Sequence, residues 1–558
     1  MERQISTAVL ASLVLVFGVV DDLAAQRRAP ATQRYQQVAE IDRQIAEVWK
    51  EYDLRPSEPA TDGEWCRRVH LDLIGRIPTV EELEAFLSSK SRSKREDLVN
   101  SLLYDEKYTE EYARNWTTIW TNLLIGRAGG NDNNSMISRE GMQKYLRDAF
   151  ARDIPYDRFV RELVAASGST QPGSESFNGA VNFLVDKVNE DNASQATAAV
   201  SKIFLGLQVQ CTQCHNHPFN DWRQQKYWEM NAFFRQVRAE REGDRQAGAG
   251  SRLFDRDFAG EGAGGDIAEA VLFYEERNGY SRTAFPVFVD GTPIPRDGRV
   301  AQVNRREALA DLIVGSNYLE KAAVNRLWAH FLGYGFTKPV DDLGPHNVPS
   351  HPELLDYLAS EFRKSSFGMK QLMTWIVLSR PYALSSKITS DNAEDDPSLG
   401  VSPKFSHFYL RQMQAEQLYE SLVVATRASE ERGSYEEQER QKNMWLQQFV
   451  SAFGTDDGAE STSFDGTIPQ ILMMFNGDLI RQATSDRPGS FLDRIASGPL
   501  PGPKKIDYLY LAALSRTPTK DERAIAQAFL EMHAQNPKAA LSDVWWLVLN
   551  SSEFIFNH

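Results

Sequence analysis

The sequence predicts a mainly α-helical protein of two multi-helix domains with a small β segment between them. Three observations predict it. Apolar residues recur at three- and four-residue spacing through most of the chain. Capping signals and Gly or Pro stops bound those stretches. Runs of β type are confined to one short region. The 558 residues exceed one ordinary core. The predicted divisions are a signal peptide over 1–25, a helical domain over 26–240, a linker with the β segment over 241–300, and a second helical domain over 301–558. With 42% apolar and 25% charged residues, the composition is that of a globular protein. This excludes a mostly disordered, collagen-like or multi-span membrane chain. A net charge of −15 argues against a nucleic-acid partner, which needs a basic face.

Taken in order, the first element is an apolar run over 5–20, closed by Asp21 and Asp22 and followed by Leu23-Ala24-Ala25. Sixteen residues are short for a membrane span. The pattern is that of a secretory signal peptide, and it predicts an extracytoplasmic body, periplasmic or secreted. Membrane contact follows only if the segment stays uncleaved. Residues 31–54 have helical spacing through Val38, Ile41, Ile45, Val48 and Tyr52. Residues 65–73 form a second helix, stopped by Gly75 and Pro78. Thr79 and Glu82 then have the spacing of a capping box. Further helices are expected over 94–103, 110–124, 139–150, 156–166 and 193–207. The stretch 241–265 reads as a linker or mobile loop, and 271–274 and 287–289 as short strands. Helices resume over 305–314, 320–332, 352–364 and 370–378. The charged stretch 430–442 suits a solvated helix face, and helices over 521–534 and 542–550 close the chain. Arg76-x-Pro78-Thr79-x-x-Glu82 recurs as Arg516-x-Pro518-Thr519-x-x-Glu522. This is either a common turn used twice or an old duplication, with each Arg available for the last carbonyls of the preceding helix.

The chain has three cysteines, too few for a disulfide scaffold. Two stand in Cys211-Thr212-Gln213-Cys214-His215, the C-x-x-C-H attachment pattern of c-type haem. Two thiols on one turn can form thioethers to the two vinyl groups of one porphyrin, and the adjacent imidazole can ligate the iron. Other readings use the same residues. His217 adds a fourth soft or borderline donor to Cys211, Cys214 and His215, suiting zinc or iron. The two thiols could instead be a redox pair or a structural disulfide. Met230, Met142 and His70 are conceivable further iron ligands, and none is singled out. Phe219, Trp222, Tyr227, Trp228, Phe233 and Phe234 cluster just beyond, as helix packing or as a wall beside a haem.

A second locus lies on a Pro/Gly-rich loop: Asp341, Asp342, His346 and His351. These could hold a divalent metal or do acid–base work in a hydrolytic or carbohydrate-active enzyme. Alternatively the loop is a rigid lead-in to a helix with Ser350 as N-cap and Glu353 at N3. If the fold brings the two loci together, one composite site between the domains results. Cys66 reads as a buried free thiol on a helix. No P-loop, G-x-S-x-G or H-E-x-x-H pattern occurs, and no G-x-G-x-x-G stands in the strand-to-helix setting of a dinucleotide fingerprint. Whether the chain is an enzyme stays open.

Over roughly 38–240 the chain resembles the planctomycete cytochrome-type domain. The residues that carry the likeness are Arg67-Arg68-Val-His-Leu-Asp72-Leu-Ile-Gly75-Arg76-Ile-Pro78-Thr79, Phe204-Leu-Gly206, and Cys211 to Phe219. Over roughly 300–556 it resembles the planctomycete secreted domain. There the residues are Asn325-Arg326-Leu-Trp328-Ala-His330, Pro339 to Gly344, Pro349 to Asp356, and Asn550-Ser-Ser-Glu553-Phe554. The family name records a cytochrome-like motif and a secretory address, with no established reaction. The C-x-x-C-H motif together with the export signal makes haem c on Cys211, Cys214 and His215 the leading reading, with an extracytoplasmic redox protein as partner. The resemblance implies an alternative: a zinc- or iron-binding accessory to polysaccharide degradation, beside a secreted sulfatase-like protein.

Overall fold

The computed structural model describes residues 35–130, 135–188, 193–242, 250–260, 265–427, 484–485 and 487–558, with single positions at 434, 437, 440 and 444. The expected signal peptide (1–25) and most of the charged 430–442 stretch lie outside the described residues. The fold is mainly α, with nineteen helices among the described residues and only small sheets.

Helix α1 (Gln36–Glu51) buries Val38, Ile41, Ile45 and Trp49 along one stripe. The expected face ended at Val48 and Tyr52; instead it rotates to the larger Trp49, and Tyr52 is exposed. Helix α2 (Asp62–Ile74) is buried almost all round, Arg67, Arg68, His70 and Asp72 included. Its polar groups therefore need partners from other parts of the fold. Arg67 donates to the carbonyls of Ala513 (2.6 Å) and Phe554 (2.8 Å). Asp72 accepts from Arg411 Nη2 (2.8 and 2.9 Å), Tyr382 Oη (2.8 Å) and Asn557 Nδ2 (2.8 Å). Cys66 is buried, and burial pushes its thiol far above the usual value.

Gly75 ends α2 at φ +76°, and the Thr79–Glu82 capping box opens α3 (Val80–Ser88) as expected. Arg76 does not reach the last carbonyls of α2. It makes two-pronged pairs with Glu82 and Glu111 (2.8–2.9 Å), because a carboxylate in reach outbids neutral carbonyls. Arg516 repeats the arrangement with Glu522 and Glu553, on a second capping box at Thr519. The echo therefore extends to the ion pairs.

Helices α4 (Lys94–Tyr104), α5 (Glu106–Ile125), α6 (Arg139–Ala151) and α7 (Tyr156–Val164) follow, then α8 (Ser194–Leu205) and α9 (Gln224–Asn231). Part of the expected linker is sheet. β1 (Gly168–Ser169), β3 (Ser251–Asp255) and β2 (Val237–Arg241) pair antiparallel in that spatial order. Charged residues on the outer face, Arg238, Glu240 and Arg252, hid the alternation. β4 (Leu272–Glu275) pairs with β5 (Ser281–Ala284), whereas 287–289 is no strand: Val287 makes one bridge to Pro293 across a turn at Gly291.

Helices α10 (Arg305–Gly315), α11 (Tyr318–Leu332), α12 (Pro352–Lys364) and α13 (Met369–Val377) pack back onto the first half: α7 against α10, α8 against α11, α1 against α12. One apolar core consequently runs from Val38 to Tyr409 across the 241–300 segment. A second core joins Leu71, Ile77 and Val80 to α14 (Ala415–Ala425), α15 (Phe491–Ser497), α16 (Gly502–Leu514), α17 (Lys520–Met532), α18 (Pro537–Leu549) and α19 (Ser552–Ile555). β6 (Arg411–Gln412) pairs with β7 (Phe556–Asn557). Among the described residues no helix is long and apolar enough to cross a membrane.

Candidate functional site

Gly206 ends α8 in the left-handed region (φ +64°), and Leu207 N–H bonds back to Ser201 O (3.0 Å). This Gly stop releases the chain two residues before the expected end. Val209 and Thr212 are buried and anchor a short 3₁₀ turn, Gln210–Gln213. Thr212 Oγ1 donates to Val209 O (2.6 Å). From below, Gln213 O accepts from Trp228 Nε1 (3.2 Å) and Gln224 Nε2 (3.0 Å). The anchored side of the turn faces the core, and Cys211 and Cys214 are both exposed and free.

The next residues form a tight loop. His217 N–H donates to Trp222 O (2.7 Å), Phe219 N–H to His217 Nδ1 (3.2 Å), and Trp222 N–H to Asn220 Oδ1 (2.8 Å). Asn216 Oδ1 accepts from Gln224 N–H (3.0 Å). His215 Nδ1 lies 2.7 Å from Asn216 O. A carbonyl only accepts, so Nδ1 carries the proton and Nε2 keeps its lone pair. For His217 the logic reverses: its Nδ1 accepts, so its ring proton sits on Nε2.

The second locus meets this loop. Leu343 N–H donates to Gly206 O (2.7 Å), and Arg326 on α11 reaches the carbonyls of Lys202 and Ile203 at the end of α8. Asn325 on α11 holds the approach by donating to Val340 O (2.7 Å) and Thr337 Oγ1 (2.8 Å). Asp341 accepts from Gln208 Nε2 (2.7 Å) and pairs with Lys202 (3.2 Å). Asp342 Oδ2 lies 3.0 Å from His346 Nε2, and His346 Nδ1 lies 2.9 Å from Asn220 Nδ2. Because Asn220 Oδ1 is already bonded to Trp222, its NH₂ faces His346. His346 thus accepts at Nδ1 and donates from Nε2. Its ring is 4.8 Å from that of His217 and 6.2 Å from that of Phe219. Partial burial, then His346, hold His217 below the usual imidazole value, against the pull of Asp342. Partial burial and the Asp342 carboxylate push the Cys211 thiol up.

The fold therefore brings the loop that follows Cys211, Cys214 and His215 against the loop of Asp341, Asp342 and His346, with His217 and Asn220 meeting His346. His351 goes elsewhere: it is buried between Phe336 and Phe405, and burial lowers it to about 4. Nor does Ser350 cap α12. His351 is the N-cap and Pro352 takes the first helical position, so no capping box with Glu353 forms. Met230, Met142 and His70 are fully buried. Tyr227, Phe233 and Phe234 belong to the core, whereas Phe219 is 76% exposed. Among the described residues no three His, Cys, Asp or Glu side chains converge in a group that could hold a metal ion. Asn220, Asn216, Gln208 and Lys202 were not anticipated. The Asn-Asp step at 220–221 is a legible turn signal, but its link to His346 spans 126 residues.

Residues 40–239 match PSCyt2, a protein of unknown function (DUF1549), and residues 305–530 match PSD1, a protein of unknown function (DUF1553). No curated protein and no solved structure matches the chain.

Proposed function

The chain belongs to the planctomycete two-domain family of unknown function in which DUF1549 precedes DUF1553, and we propose that it is an extracytoplasmic protein that carries haem c for electron transfer. Cys211 and Cys214 would anchor the group through thioethers and His215 would ligate its iron. The observation that carries this reading is the disposition of the motif. Both thiols are exposed on one turn, and His215 is fixed by a backbone carbonyl with Nε2 free for a ligand. A ligating histidine characteristically has its other nitrogen tied in this way. Attachment adds each S–H across a vinyl C=C, so it needs both sulfurs reduced. Partial burial and Asp342 keep Cys211 as a thiol, the form less prone to oxidise. When bound, the group supplies a one-electron iron couple, tuned by its axial ligand and surroundings. The chain's own contribution is to present the ligands on a turn anchored by Val209, Thr212, Gln224 and Trp228. Export by residues 1–25 belongs to the same reading.

The rival is zinc or iron held by Cys211, Cys214, His215 and His217. It fits less well, since His217 carries its proton on Nε2 while Phe219 N–H occupies Nδ1. Chain produced with a cytochrome maturation system decides between them. A Soret band absent from a C211A/C214A variant supports haem c. Colourless protein with about one zinc or iron per chain supports the rival, and colourless, metal-free protein removes both.

A further inference from the structure

We propose that His346 is a positioning residue: through it the second domain fixes the shape of the loop that follows C-x-x-C-H. A continuous chain of hydrogen bonds supports this. His346 donates to Asp342 Oδ2 (3.0 Å) and accepts from Asn220 Nδ2 (2.9 Å). Asn220 Oδ1 in turn takes Trp222 N–H (2.8 Å), and Trp222 O takes His217 N–H (2.7 Å). The Trp222 N–H fixes which way the Asn220 amide faces, and the amide fixes the His346 ring, so amide and ring have one orientation. The base of the relay is rigid. A Cβ at Gly344 would stand 2.7 Å from His346 Cε1 and 3.0 Å from Asp342 Oδ1, so glycine is what lets the two side chains meet over the backbone. Asn347 Nδ2 ties Asp342 O (2.8 Å) to the same loop. His346 donates and accepts in the same plane, and a side chain that only donates or only accepts breaks one end.

The effect of His346 on a bound haem rests on the haem c reading; its hold on the loop does not. The test therefore has two arms, both on the full chain. The first is amide hydrogen exchange over 217–222 in the protein without haem. H346A should speed exchange of the His217 and Trp222 amides by about tenfold, the factor for one or two lost hydrogen bonds. N220A should do the same from the other side, and the double variant should add little. H346Q should restore protection, because its amide offers an acceptor and a donor at similar spacing. The second arm reads the midpoint potential of loaded protein, which should shift in H346A and return in H346Q. Unchanged exchange in H346A and N220A overturns the proposal. So does an H346Q variant as loose as H346A, since ring packing rather than paired bonding would then hold the loop. A chain that never takes haem removes the function proposed above and leaves the first arm to decide this one.

Discussion

At the scale of single residues, the largest energies sit away from the exposed cysteines. Asp72 is fully buried and accepts four hydrogen bonds from Arg411, Tyr382 and Asn557. Removing one member of a buried ion pair leaves the other charge without compensation, typically at about 3–5 kcal/mol. D72A should therefore lower unfolding free energy by that order in urea titration, and a loss under about 1 kcal/mol would contradict the role. The contrast between Glu82 and Glu522 is sharper. Both close a capping box and pair with an arginine, but Arg76 and Glu82 are more buried than Arg516 and Glu522. E82Q should cost about 3 kcal/mol and E522Q no more than about 1 kcal/mol. Equal losses would show that exposure does not set the difference. The motif and the capping boxes were legible because each is complete within six residues. The partners of Asp72 and the link from His346 to Asn220 were not, since they lie 310–485 and 126 residues away.

At the scale of elements, the site depends on how α8 stops. Gly206 has φ +64°, and a Cβ there would meet Leu343 Cδ1 at 2.8 Å, on the loop that carries Asp342 and His346. G206A combines a left-handed backbone penalty of about 1 kcal/mol with displacement of that loop. It should lower the melting temperature and speed alkylation of Cys211, whose thiol Asp342 would no longer raise. Unchanged reactivity would separate the helix stop from the site. Helix existence was readable from the 3.6-residue period, and α12 has the bounds its pattern gave. The three-stranded sheet was hidden because charged residues fill its outer face, and because β1 pairs with a strand far along the chain.

At the scale of the whole molecule, the two matched domains share one packed core. The linker reading of the middle segment followed composition, whereas the packing of α7, α8 and α1 against α10, α11 and α12 followed shape. That burial has a pH consequence. Burial lowers His70, His330 and His351 from 6.5 to about 4. The unfolded chain therefore binds more protons than the folded one between those values, and stability falls as pH drops from 6.5 towards 4. Each histidine contributes on the order of 2–3 kcal/mol at the lower end. Asp42, which burial raises to about 6, works the other way, as do Asp153 and Glu229, while burial also lowers His407 and His558 alongside the three. The melting temperature should decline steadily from pH 7 to 4, and a flat profile would show that these rings are not held neutral.

The central claim concerns the sulfurs of Cys211 and Cys214, and mass spectrometry of the intact chain from a maturation-competent host reads them directly. The account predicts a mass raised by one haem, localised to the peptide containing Cys211–His215 and lost in C211A/C214A. Two free, alkylatable thiols with no added mass in protein from that host would contradict it.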